Sequence, residues 1–101
     1  MILLNTKNQL IQEVEISKGS LNQTIVHPRE VFNKAIKNSA ASIILIHNHP
    51  SGDPTPSQED FILTQNLVKS GKLLGIPVLD HIVVGNGDYY SFADRQTLIE
   101  K

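Results

Sequence analysis

Residues 42–60 read SIILIHNHPSGDPTPSQED, and this stretch decides the fold. Ser42 to Ile46 is a continuous apolar run, the pattern of a central strand covered on both faces. His47 and His49 stand at its C-terminal end. Asn48 to Pro56 carries three prolines and a glycine, too many breakers for regular structure. Ser57-Gln58-Glu59-Asp60 then opens a helix in capping-box form, with Ser57 as N-cap and an acid at N3. Strand, loop and helix start place two imidazoles and a carboxylate where a central strand ends, a common location for sites in such sheets.

The residue types carry a specific chemistry. In an extended segment, side chains at i and i+2 share a face, so His47 and His49 converge while Asn48 points away. Pro50 favours that extended backbone. Two nitrogens and one oxygen make a three-point site for a first-row metal, with Zn²⁺ the leading expectation. Three protein ligands leave a position for water, the catalytic arrangement. Either histidine alone reads more simply as a hydrogen-bonded core or surface imidazole. Asp60 also has a structural role as a helix-start acid favoured by the dipole, and both roles can hold together. Asp53 is a weaker rival ligand, because Gly52-Asp53-Pro54 suits a turn.

Working outward, Met1–Leu4 and Leu10–Ile16 read as a β-hairpin around the turn Asn5–Asn8. In the second strand Leu10, Val14 and Ile16 fall on one face and Ile11, Glu13 and Glu15 on the other, solvated one. Ser17–Ser20 reads as a turn, followed by an extended piece to Val26. Pro28 suits the first turn of a helix that Asn38-Ser39 ends, with Val31, Phe32, Ala35 and Ile36 as its apolar face. His27 is read as a helix-start residue rather than a ligand. The helix from Ser57 runs to Leu74 with Leu63, Leu67, Ser70 and Leu74 as its stripe, stopped by Gly75 and Pro77. Val78–Val84 is a strand, Gly85–Asp88 a hairpin turn and Tyr89–Phe92 its partner, with a short, partly helical tail. His81 reads first as a strand histidine with a local partner, and second as a support beneath the metal. The expected class is α/β (α+β): a mixed sheet flanked by helices.

Bulk properties bound the function. A chain of 101 residues is a single domain with one core. The net charge is −1 and the nine Lys and Arg are scattered, so the basic stripe of a nucleic-acid binder is missing. No apolar run reaches the roughly 20 residues of a membrane span, and the N-terminus lacks the form of a secretory signal. Zero cysteines exclude disulfides and thiolate ligands and fit a cytoplasmic setting. Oligomeric state is not readable.

At these residues a family resemblance enters. HNHPSGDPTPSQED is similar to the H-x-H-x10-D signature of the JAMM (JAB/MPN+) metalloproteases. VHPREVFNKAIKNSAASIILIHNHPSG, VLDHIVVG and YYSF resemble the RadC-like subgroup (UPF0758), over about Leu3 to Phe92. The resemblance implies a fold related to cytidine deaminases and a Zn²⁺ held by His47, His49 and Asp60. It also implies a serine, here Ser57, that stabilises the tetrahedral intermediate, and a peptide or isopeptide substrate. The family's general-base glutamate precedes the segment Ile2–Thr6 and has no match here; Glu13, Glu15 and Glu30 do not occupy its position. The chain is therefore expected to be the C-terminal part of a longer protein, entered within its first strand, binding zinc but hydrolysing amides poorly alone. A non-catalytic zinc-binding role in DNA repair, suggested by the RadC name, is the alternative. A zinc deaminase is excluded, since H-x-E and P-C-x-x-C are missing.

Overall fold

The computed structural model describes residues 1–16 and 26–98. The expected turn at Ser17–Ser20 and most of the extended piece to Val26 lie outside them. Five strands form one sheet: β1 (Ile2–Leu4), β2 (Leu10–Glu13), β3 (Ser42–Asn48), β4 (Val78–Val84) and β5 (Tyr89–Ser91). Their order is β2-β1-β3-β4-β5. Only β3 and β4 run parallel, and every other neighbouring pair is antiparallel. Two helices, α1 (Pro28–Lys37) and α2 (Gln58–Leu74), accompany the sheet among the described residues. The class is the expected one, a mixed sheet with helices, consistent with a JAB/MPN domain.

The parallel pair explains the connection. Parallel neighbours need a long crossover, and α2 supplies it between β3 and β4. Gly75 ends α2 in the left-handed conformation, φ 72°, where its missing side chain removes the steric penalty. Pro28 sits in the first turn of α1, and Asn38 caps its end, as expected.

Both helices contribute to one core. Leu3 of β1, Ile43 and Leu45 of β3 and Val78 of β4 pack with Val31, Phe32 and Ala35 of α1 and Leu67 of α2. Leu3 pairs in register with Ile43, so these residues share a face. On the other face Ile2, Ile44 and Ile82 are half-buried and Ile46 is 47% exposed. The expectation that β3 is covered on both faces is thus corrected. A continuous apolar run cannot report which face carries a helix, and among the described residues both helices lie on one side.

Three further expectations change. The second strand stops at Glu13, and all of β2 is exposed, Leu10 and Ile11 included. It is an edge strand, and the helices pack over β1, β3 and β4; Val14 and Ile16, beyond it, are half-buried against the core. In α2 the buried residues are Asp60, Thr64, Leu67 and Gly71, whereas Leu74 is exposed. The spacing is the expected one, set three residues earlier. Gly71 is required there because a Cβ would collide with the carbonyl oxygen of Ile76. Finally, residues 92–96 form turns rather than a helix.

Candidate metal centre

His47 is the last but one residue of β3, on the face that carries Ile43 and Leu45, four and two residues earlier. His49 follows, its backbone N–H donating to Val84 O at 2.9 Å, so the chain tracks β4 beyond the strand. The next turn is pinned to the hairpin turn that follows β4. Asn86 N–H donates to Gly52 O at 2.8 Å, and Gly52 adopts φ 87°. The approach is so close that a Cβ at Gly85 would strike the Gly52 carbonyl.

Asp60 arrives from the first turn of α2. The capping box is complete: Ser57 Oγ accepts from Asp60 N–H at 3.1 Å, and Asp60 Oδ2 accepts from Ser57 N–H at 2.8 Å. The same carboxylate reaches both imidazoles. Its Oδ1 lies 3.2 Å from His47 Nδ1, and its Oδ2 lies 3.0 Å from His49 Nε2. One donor atom from each residue falls within 4.8 Å of the others, and this trio can hold a metal ion. The site is graded in exposure: the Asp60 side chain is 7% accessible, His49 16% and His47 42%. The carboxylate is the floor and His47 the rim.

The donor set fits a small divalent ion. A tetrahedral ion with bonds of about 2.0–2.1 Å spaces its ligand atoms by about 3.3 Å. The two carboxylate–imidazole distances are close to that. His49 is also held in a suitable tautomer. Its Nδ1 is 2.9 Å from the carbonyl oxygen of Asp53, which can only accept, so Nδ1 carries the proton. With the proton held on Nδ1, it is Nε2 that faces Asp60 Oδ2. Two acceptors facing at 3.0 Å call for a cation or a proton between them.

Electrostatics agree. Burial alone would raise the Asp60 carboxyl, but hydrogen bonds from His47 and from the Ser57 backbone outweigh it and hold it well below the usual carboxylate range. The ligand oxygen is therefore ionised at neutral pH, as binding requires.

Asp53 does not join the trio. Its Oδ1 accepts from Thr55 N–H at 3.0 Å and from Thr55 Oγ1 at 2.7 Å, the turn role expected of it. Its carbonyl, not its carboxylate, serves the site. His27 is the N-cap of α1, and Glu13 and Glu15 are exposed. Among the described residues, no glutamate enters the cluster. The first reading of His81 is corrected: it is buried, and its partner Thr64 lies 17 residues away on α2, not nearby on the chain. Thr64 was missed, although its position one turn after Asp60 allowed its hydroxyl to bond back to that residue's carbonyl.

Residues 1–97 match the RadC-like JAB domain family. The chain belongs to that family. Among curated RadC relatives, a UPF0758 protein of Geotalea uraniireducens is 62% identical over 93% of this chain and 41% of its own length. A UPF0758 protein of Pelobacter propionicus is 58% identical over 97% of the chain and 43% of its own. A third, from Methanosarcina mazei, is 58% identical over 93% of the chain and 41% of its own. The chain thus spans about two fifths of the length of these relatives. Among the described residues no helix is long and apolar enough to cross a membrane.

Proposed function

We propose that His47, His49 and Asp60 hold Zn²⁺ and that this domain is the metal-binding part of a hydrolase acting on peptide or isopeptide bonds. The observation that carries the reading is the convergence of His49 Nε2 and the Asp60 carboxylate at 3.0 Å, fixed by the Asp53 carbonyl behind one and the capping box behind the other. Nitrogen and carboxylate ligands without thiolates suit zinc in a catalytic rather than a structural site. The JAB family context agrees with this chemistry.

Zinc bound there supplies a Lewis acid for the scissile carbonyl and lowers the pKa of a coordinated water to about 7. The protein's own residues account for the rest. His47, at the rim, leaves an approach from solvent. Ser57 Oγ already accepts from Asp60 N–H, so its own proton is free to be donated to a developing oxyanion. Proton transfer from the water needs a further base, and no glutamate among the described residues is in place for it. Slow amide hydrolysis by these 101 residues alone is the expected result.

The test is cleavage of peptide and isopeptide substrates by a full-length UPF0758 relative, compared with the same protein carrying alanine at the counterpart of His49. Chelator-sensitive cleavage by the first and none by the second is expected. Equal rates from both contradict the assignment.

A further inference from the structure

We infer that Thr64 and His81 are positioning residues of the metal site, joined in a hydrogen-bonded chain that sets both the Asp60 backbone and the His47 ring. The inference rests on the reading of His47, His49 and Asp60 as ligands.

His81 lies on β4, paired in register with Leu45, two residues before His47, and is only 2% exposed. One face of its ring stacks on Phe92, with centroids 4.9 Å apart and planes 5° from parallel. Its other neighbour is the ring of His47, 6.2 Å away and tilted by 19°. The imidazole is thus a flat wall behind a metal ligand. An apolar ring would fill that place without the cost of burying two nitrogens. One of them, Nδ1, is used instead.

Thr64 is as buried as His81, and its Oγ1 makes two contacts, 2.7 Å to Asp60 O and 2.5 Å to His81 Nδ1. A hydroxyl has one proton, and a carbonyl can only accept. Both contacts are satisfied together when Thr64 donates to Asp60 O and His81 Nδ1–H donates to Thr64 Oγ1. That order fixes the His81 tautomer. It also links β4, the strand beside the His47 strand, to the first turn of α2, which carries Asp60. A displacement of either element therefore disturbs the chain. Groups that orient ligands in this way commonly govern affinity by ten- to a hundredfold.

Thr64→Val and Thr64→Ser separate this role from packing. Valine keeps the volume and loses the hydroxyl; serine keeps the hydroxyl and loses a methyl. Zinc affinity, measured by chelator competition, is expected to fall about 10- to 100-fold in Thr64→Val and to return to within a few-fold of the wild type in Thr64→Ser. Nitrogen NMR of the metal-free wild type is expected to show His81 as the Nδ1–H tautomer, switching to Nε2–H in Thr64→Val. Wild-type affinity in Thr64→Val, or serine no better than valine, overturns the inference. So does an Nε2–H tautomer in the wild type, a readout that holds even if a variant fails to fold. A wild type that binds no zinc sinks the metal-centre reading itself, whereas zinc binding untouched by Thr64→Val sinks only this inference.

Discussion

The two faces of one strand behave differently. On β3, Ile43, Leu45 and His47 point toward the helices, while Ile44, Ile46 and Asn48 point away. The sequence from Ser42 to Ile46 is apolar at both sets of positions after the first. Among the described residues, only the covered side forms a core, and the candidate site lies on that side. Asp60 can meet His47 because α2 crosses that face between two parallel strands, whereas among the described residues the open face gains no carboxylate from a helix. Chemistry here follows coverage, since burial makes the carboxylate worth fixing and the helix start supplies the means.

The largest expected effect tests this asymmetry directly. Ile43→Ala, at a fully buried position, is expected to lower the unfolding free energy by about 2–5 kcal/mol in urea titration. Ile46→Ala, on the open face, is expected to cost under about 1 kcal/mol in the same assay. Equal costs at the two positions would remove the distinction between the faces.

Acid sharpens the comparison next, because the covered side holds an imidazole in a dry place. Burial pushes His81 down from its ordinary 6.5 to about 4, so the unfolded chain takes up a proton that the folded chain refuses. Its contribution is therefore fully present above about pH 6.5 and is lost as pH falls through 4. The loss amounts to at most about 3 kcal/mol in the metal-free chain. Denaturant midpoints at a series of pH values measure it. His81→Phe should flatten the curve in this window, and an unchanged slope would contradict the assignment. The Asp60 carboxyl, held low, adds its own loss only at still lower pH.

Smaller effects belong to the contacts that tie the site loop down. Gly85→Ala forces the Gly52 turn away from the β4–β5 turn and is expected to cost about 1–3 kcal/mol, with weakened zinc binding in a chelator titration. Ser57→Ala removes one half of the capping box and should cost about 1 kcal/mol of stability by thermal unfolding. If Ser57 serves only as a cap, a glycine there recovers most of that stability together with any activity. If its hydroxyl also meets an oxyanion, stability recovers and activity does not.

What the sequence made legible was local. His47 and His49 share a face through period-two geometry, Asp60 follows from the capping pattern at Ser57, and Gly75 with Pro77 marks the end of α2. Each of these is set by neighbours within a few residues. The hidden parts depend on distant segments. The apolar run of β3 gave no sign of which face stays open. The inward stripe of α2 was masked because two of its four buried residues, Asp60 and Thr64, are polar and a third is glycine. Leu10 and Ile11 resemble core residues until the strand order puts β2 at the edge. The His81 contact with Thr64 and the close approach of Gly52 to Gly85 join residues far apart in the chain, where no short pattern announces them.

The central claim is that His47, His49 and Asp60 form one metal centre. Zinc titration of the purified chain, followed by X-ray absorption at the zinc edge and repeated with His49→Ala, tests it most directly. The account predicts one zinc per chain, bound by two imidazole nitrogens and a carboxylate oxygen, and loss of that binding in the variant. Zinc held with undiminished affinity by His49→Ala, or a wild type that binds none, would contradict it.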